Sequence, residues 1–196
     1  RQQRLRKGKG SYYALNDYIA PVDSGKKDYI GAFAVTAGFG VDEQVTQLKN
    51  EGNEYHSIMF RFLADRLTEA YGELMHLKVR KIYWGYDPQE SLNNEELIKE
   101  EYVGIRPAPG YPACPDHLLK EDIFEILDVE KAIGIKLTDK YVMDPVSSVC
   151  GFYFAYSGAR YFSITTIGED QLEDYAKRRK MSVDEVEKLF HNILTN

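Results

Sequence analysis

The segment with the most chemical information is rich in proline: residues 104–117 have the sequence GIRPAPGYPACPDH. Its prolines at 107, 109, 112 and 115 fit neither a helix interior nor a central strand. Because proline fixes φ and lacks an N–H, the segment presents mainly carbonyl acceptors in an extended form. Arg106 is a planar donor suited to a carboxylate, and Gly110, without a Cβ, would let a flat ligand lie on the backbone. The pattern fits a ligand with a purine amino group and a carboxylate, and it also fits a proline-stiffened surface connection.

A second candidate is a pair of acidic residues, Asp65 and Glu69, four positions apart in a segment with a helical pattern. This spacing places both carboxylates on one face of a helix. Such a pair can accept hydrogen bonds from an imidazole or stabilise its protonated form. The same pattern is typical of a solvated acidic face, which Arg61 and Arg66 nearby would help to neutralise.

The elements around these residues occur in an order typical of an α+β protein. Residues 30–36 (IGAFAVT) predict a buried strand, and residues 149–156 and 160–167 predict the two strands of a hairpin. Helical patterns cover 42–51, 54–83, 94–102, 120–133, 170–179 and 183–194, and Ser182 with Glu185 predicts a capping box for the last. The long helix carries an apolar stripe, the side that normally faces a core: Ile58, Phe62, Leu63, Leu67, Ala70, Leu74, Leu77 and Val79. We expect a single domain over residues 1–196, with a mostly antiparallel twisted sheet and helices packed around it.

Composition and charge exclude several classes of function. The formal net charge is −6, and five cations fall in the first ten residues, a basic lead-in over 1–11. The rest of the chain is therefore strongly acidic, which disfavours nucleic acid as a partner. No apolar run approaches the ~20 residues that cross a bilayer. Cys114 and Cys150 form no Cys-x-x-Cys motif, so no zinc site is predicted, and reduced thiols suggest the cytoplasm.

Several segments, in the same order, resemble the activation domain of cobalamin-dependent methionine synthase. The run GIRPAPGYPACPDH is similar to the S-adenosylmethionine-binding signature of that domain. The other matching segments are DYIAPVDSGKKDYIGAFAV, IMFRFLADRLTEA, KIYWGY, NNEELIKEEYVGIRP and QLEDYAKRRKMSVDEVEKL. The resemblance covers essentially the whole chain. The family domain is longer, and we expect this chain to correspond to its C-terminal portion.

The resemblance implies roles for individual residues. Arg106 would pair with the methionine carboxylate of S-adenosylmethionine, Ala108 and Gly110 would present backbone to its adenosyl part, and Tyr111 would lie near both this ligand and the corrin. Tyr161 and Phe162 would contribute from the second hairpin strand, where alternation lets at most one side chain face the ligand; ordinary sheet packing is the alternative for both. Asp65, Glu69 and Tyr111 would contact the cobalamin-binding module, the two acids by meeting the histidine released from cobalt. No catalytic or metal-binding residue is expected.

The function implied by the resemblance is repair of a methyltransferase that makes methionine from homocysteine. The domain would bring S-adenosylmethionine to cobalamin that has oxidised to the cobalt(II) state, while a flavodoxin-type donor supplies one electron. Cobalamin itself would be held by another module, so the isolated chain is expected to bind but not to turn over. Two alternatives remain: a stand-alone corrinoid-reactivation protein, and a docking module without ligand binding.

Overall fold

The computed structural model describes residues 12–194, so the basic lead-in predicted at 1–11 lies outside the described residues. The helices and strands are, in chain order, β1 (Gly31–Thr36), α1 (Val41–Asn50), α2 (Glu54–Lys78), α3 (Asn94–Ile98), α4 (Leu119–Leu127), α5 (Val129–Ile133), β2 (Lys136–Leu137), β3 (Met143–Asp144), β4 (Ser148–Tyr153), α6 (Glu169–Arg179) and α7 (Val183–Phe190). A π-helical turn, Val79–Tyr83, continues α2. This combination confirms the predicted α+β class.

The main sheet joins two strands that are far apart in sequence. Strands β1 and β4 pair antiparallel, with Gly31 opposite Tyr153 and Thr36 opposite Ser148, and β2 pairs antiparallel with β3. Successive residues of β1 face opposite sides of the sheet. Phe33 and Val35 pack with Val79 and Tyr153 on the side of α2, whereas Ala32 and Ala34 contact the cluster built around Ile123 of α4. The sheet therefore lies between α2 and the α4–α5 pair.

The predicted hairpin is wrong. Residues 160–167 form no strand beside β4. Strand β4 already pairs with β1 on one edge, and residues 105–107 occupy the other edge near its end, where the Phe152 N–H donates to the Pro107 carbonyl at 3.0 Å. The 160–167 segment instead follows the proline-rich run, since the Ile164 N–H donates to the Pro112 carbonyl at 2.9 Å.

The apolar stripe predicted for the long helix does not face the core. Most of it is exposed: Ile58, Phe62, Leu63, Leu67 and Leu74 are each about half exposed, and only Val79 at its end is buried. The buried face of α2 instead consists of small and polar residues: Ser57, Ala64, Thr68, Gly72 and His76. Small side chains let the helix lie close to the sheet, and the Thr68 hydroxyl donates to the Ser147 carbonyl at 2.8 Å. Close approach and hydrogen bonding therefore decide which face of α2 is buried.

The C-terminal helices form a compact unit of their own. Helices α6 and α7 bury Leu172, Ala176, Val186 and Phe190 against one another. The predicted capping box at Ser182 is confirmed, because Ser182 and Glu185 exchange hydrogen bonds at 2.9 and 3.3 Å. The helix predicted over 120–133 breaks at Asp128, whose φ of +48° separates α4 from α5. Within residues 12–194, no helix combines the length and apolar character that a bilayer span requires.

Candidate functional site

The proline-rich run, residues 104–117, is an ordered segment that we call the proline ribbon; it is extended over 105–108 and then folds through two hydrogen-bonded turns over 108–111 and 111–114. It begins as an extra partner for the end of β4, since Ile105 and Phe154 exchange two backbone hydrogen bonds of 3.0 Å each. Gly151 of β4 lies directly beneath the ribbon, and a Cβ there would sit 2.7 Å from the Pro107 carbonyl oxygen. Residue 151 must therefore be glycine for the ribbon to lie this close to the sheet.

A cavity of about 390 Å³ opens between the proline ribbon, α2 and residues 161–163. This volume lies within the range of roughly 300–1,000 Å³ typical of small-molecule sites. The structure brings five of the six predicted ligand-contact residues to its wall: Arg106, Ala108, Tyr111, Tyr161 and Phe162. Phe33, Gly72 and Val149 contribute from the sheet and from α2. Arg106 therefore shares one concave surface with apolar and aromatic side chains.

Gly110 does not line this cavity but lies at the opposite side of the ribbon. Its φ is +98°, and a Cβ on it would meet the His117 ring at 2.4 Å. The missing Cβ is therefore explained by the imidazole and by the left-handed backbone, rather than by a flat ligand as predicted. A backbone contact between Gly110 and a ligand stays a prediction.

Arg106 is held by three side chains that the sequence did not indicate. Its side chain is 17% exposed, and Nη2 forms an ion pair with Glu73 of α2. Nη1 donates to the Tyr102 hydroxyl at 3.0 Å and lies 3.5 Å from His76 Nδ1. Among residues 12–194, the Nε–H of Arg106 has no hydrogen-bond partner. The guanidinium is thus fixed in position while its Nε–H remains available for a carboxylate oxygen.

His76 forms the floor under Arg106. It is fully buried, stacks on the Tyr153 ring at 5.2 Å between centroids, and places Nε2 3.1 Å from the Tyr86 hydroxyl. Burial, together with the positive charges of Arg80 and Arg106, lowers the pKa of His76 to about 2. The imidazole is therefore neutral, and Nδ1 can accept from Arg106 while Nε2–H donates to Tyr86.

Tyr161 and Phe162 both line the cavity, and the Phe162 ring packs against Tyr13 and Tyr18 at 6.0 and 6.3 Å between centroids. The limit of one side chain facing a ligand stays a prediction. That limit assumed a strand with alternating faces, and this segment is not a strand. The Tyr161 hydroxyl accepts a hydrogen bond of 3.0 Å from the Arg106 backbone N–H. Tyr161 therefore fixes the start of the ribbon and offers mainly its ring to the cavity.

Glu100 is a cavity residue that sequence reasoning missed. It lies just after α3 with a φ of +58°, a conformation that residues other than glycine seldom adopt and that often marks a functional site. Burial raises the pKa of Glu100, Arg106 lowers it and Glu73 raises it. The cavity thus contains both a guanidinium and a carboxylate, which suits a ligand that carries charges of both signs. Within the run EELIKEEY nothing distinguishes Glu100 from its acidic neighbours.

Of the predicted acidic pair on α2, Glu69 lines the cavity and Asp65 does not. The Tyr111 hydroxyl donates to Glu69 at 3.3 Å, and the Ser147 hydroxyl donates to Asp65 at 2.6 Å. Arg61 does not neutralise the pair, because it forms its ion pair with Asp42. Within the described part of the chain neither carboxylate has a cationic partner. Tyr111 is 52% exposed, so this end of the site is open to solvent.

The two cysteines are buried and unreactive, and the described residues contain no cluster of metal-binding side chains. Cys114 and Cys150 are buried free thiols, and burial raises their pKa values to about 12 and about 11. Thiols with such values are protonated and unreactive near neutral pH. Across residues 12–194, no three His, Cys, Asp or Glu side chains are grouped so that they could hold a metal ion.

Comparison with known proteins matches this architecture to one family. The family model described as the activation domain of vitamin B12-dependent methionine synthase matches residues 1–180. The chain belongs to this family. A solved structure of a member, the MetH reactivation domain bound to AdoHcy, superposes with a TM-score of 0.95 at 50% sequence identity. The match covers 100% of this chain and 60% of that one, so this activation-domain chain spans well under the full length of its relative.

Proposed function

We propose that the chain binds S-adenosylmethionine in the cavity between the proline ribbon and α2, within the reactivation domain of a cobalamin-dependent methionine synthase. The observation that supports this most directly is the Arg106 guanidinium, which α2 fixes while its Nε–H stays available. The relative that is 50% identical is bound to AdoHcy, which is S-adenosylmethionine without its transferable methyl group. A cavity shaped for one is therefore suited to the other.

Different walls of the cavity would meet different parts of the ligand. Arg106 would pair with the methionine carboxylate through its Nε–H, and Glu100 would offset the positive charges of the sulfonium and ammonium groups. The backbone of Ala108 and Gly110 would face the adenosyl part, where the ribbon offers carbonyl acceptors to the purine amino group. The rings of Tyr111, Tyr161 and Phe162 would cover the apolar surface of the ligand and keep water from it: Tyr111 at the open end, Tyr161 and Phe162 opposite α2.

The bound sulfonium would supply a methyl group, and its downhill transfer to reduced cobalamin would draw forward the unfavourable one-electron reduction of cobalt(II) cobalamin by a flavodoxin-type donor. This chain would contribute orientation and docking to that process. Asp65 and Glu69 would accept hydrogen bonds from the histidine that leaves cobalt when the cobalamin-binding module docks, and Tyr111 would lie against the corrin. The whole enzyme would be the cytoplasmic methyltransferase that makes methionine from homocysteine, and residues 1–196 would be part of one of its domains.

The two alternatives differ from this proposal in what can be measured. A docking module without ligand binding would keep the acidic pair on α2 but would not take up S-adenosylmethionine. A stand-alone corrinoid-reactivation protein would bind the ligand in the same cavity and serve a separate methyltransferase. The ligand cavity with its fixed arginine favours the two binding functions over the docking module.

Isothermal titration calorimetry with S-adenosylmethionine tests the proposal. We expect Arg106→Ala to weaken binding by more than about tenfold, because it removes a charge-assisted hydrogen-bonded pair. The matched control is Arg61→Ala, which removes an arginine of α2 that pairs with Asp42 away from the cavity; its affinity should equal that of the wild type. Equal affinities for the Arg106 variant and the wild type would refute the site, and a wild type that does not bind would favour the docking module.

A further inference from the structure

A second cavity lies on the other side of the proline ribbon and is lined by cations. Its volume is about 590 Å³, and it shares Ala108 and Tyr111 of the ribbon with the first cavity. Four basic side chains reach its wall from four parts of the fold: His117 from the ribbon, Lys120 from α4, Lys140 from the turn between β2 and β3, and Lys188 from α7. No aspartate or glutamate lines it. We call it the lysine cavity.

Lys120 is the most unusual member of this group, because it is buried. It is only 9% exposed, and its ammonium donates to the Tyr141 carbonyl at 2.8 Å. Tyr141 itself has a φ of +59°, so a strained turn presents this carbonyl. An ammonium has three donors, and in the part of the chain that the structure describes the other two have no partner. Burying a cation in this way costs free energy unless an anion compensates for it.

The acidic residue next to His117 in the chain is engaged by other groups. Asp116 precedes His117, but its carboxylate is engaged by Arg179 at 3.3 Å, by the Tyr175 hydroxyl and by the Leu118 backbone N–H at 2.8 Å. None of the three cavity lysines forms an ion pair within residues 12–194. In a chain with a net charge of −6, a concave surface whose charged side chains are all lysines is therefore not a consequence of composition.

We infer that the lysine cavity is a binding site for the phosphate group of a small metabolite. Three ammonium groups with an imidazole match a doubly charged oxyanion better than a single carboxylate, and lysine binds phosphate as a point charge. The cavity volume exceeds what a phosphate alone needs and leaves room for the rest of a small molecule. The inference does not depend on the first cavity, because neither Arg106 nor Glu100 lines this one.

The experiment uses inorganic phosphate as the probe, added at constant ionic strength and followed by amide NMR shifts of Gly110 and its neighbours. The wild type should show saturable shifts. The double variant Lys140→Gln/Lys188→Gln should weaken binding by about tenfold or more, because two charge-assisted contacts are lost. The matched control is Lys131→Gln, an exposed lysine of α5 at which binding should change less than about twofold.

Thermal unfolding gives a second, independent measurement. Phosphate should raise the melting temperature of the wild type by mass action, and this rise should be absent in Lys120→Met, which keeps the apolar stem and removes the charge. The inference is overturned if wild-type shifts do not saturate, if Lys131→Gln weakens binding as much as the double variant does, or if a hexaglutamate peptide saturates the site while phosphate does not. The last result would identify an acidic protein segment as the occupant.

Discussion

The buried ion pair between Arg80 and Glu90 allows the clearest test of what stabilises this fold. Both side chains are almost inaccessible, at 1% and 2% exposure, and Arg80 Nη2 donates to Glu90 at 2.8 Å while Nε donates to the second carboxylate oxygen. Arg80 also lies 4.3 Å over the Tyr102 ring, and Tyr102 in turn contacts Arg106. The pair therefore supports the floor of the ligand cavity.

We expect Glu90→Gln to destabilise the protein by about 3–5 kcal/mol, because it leaves the Arg80 cation buried without a counter-charge. The other contacts of Arg80 cannot replace Glu90, since its Nη1 already lacks a hydrogen-bond partner in the described structure. At about 2–4 °C per kcal/mol for a chain of this size, the melting temperature should fall by roughly 6–20 °C. Urea unfolding followed by circular dichroism gives the free energy directly.

Two controls make this prediction falsifiable. Asp42→Asn breaks the exposed pair with Arg61, whose side chains are 39% and 59% exposed, and should cost no more than about 1 kcal/mol. The double variant Arg80→Met/Glu90→Leu removes both charges and should be clearly more stable than Glu90→Gln alone, because no uncompensated ion remains. A Glu90→Gln variant within about 1 kcal/mol of the wild type, or a double variant as unstable as the single one, would refute the reasoning.

The remaining predictions concern the cysteines and the ribbon. Cys114 and Cys150, with pKa values raised to about 12 and about 11 by burial, should react with a thiol reagent at pH 8 about a hundredfold or more slowly than a free cysteine, until urea unfolds the chain; rapid reaction of the folded protein would contradict this. Gly110→Ala should cost about 1–3 kcal/mol, because its Cβ would meet the His117 ring at 2.4 Å in a backbone of φ +98°. Gly25→Ala, where φ is +67° with open space around it, should destabilise the protein less in the same unfolding assay. Equal losses of stability would contradict the prediction, because they would show that the clash between the new Cβ and the His117 ring adds nothing.

Local signals in the sequence predicted the parts of the fold that depend on neighbouring residues. The proline spacing correctly indicated that residues 104–117 form neither a helix nor a regular strand, since each proline restricts its own backbone, but the run is extended only over 105–108 and turns over 108–114. The capping box at Ser182 and Glu185 likewise depends on residues three positions apart. These features require no knowledge of the rest of the chain.

The errors came from features that depend on contacts between distant segments. Strand β4 pairs with β1, more than 100 residues earlier in the chain, so the hairpin pattern after β4 had no free edge to pair with. Helix α2 buries small residues because hydrogen bonding and close packing against the sheet outweigh the apolar pattern. Hydrophobic periodicity cannot reveal which side of a helix a sheet will approach.

The candidate site shows the same difference between local signals and contacts that form only on folding. Arg106 and its neighbours in the ribbon were recognisable from their motif, but the residues that hold Arg106 were not. Glu73 lies 33 positions before it and His76 lies 30 positions before it, within a helix whose pattern assigned them no partner. Glu100 was hidden among similar acidic residues. Each of these contacts exists only after α2, α3 and the ribbon have packed together.

Helix α2 holds the proline ribbon at two of its residues, Arg106 and Tyr111. Glu69 and Glu73 are one turn apart, and they reach the ribbon at Tyr111 and at Arg106, respectively. A displacement of the helix along its axis would therefore shift both anchors by the same amount, and neither could be altered without the other. The spacing between Arg106 and Tyr111 is thereby set by the 1.5 Å rise per residue of a helix. A helix fixes such a spacing more exactly than a loop does.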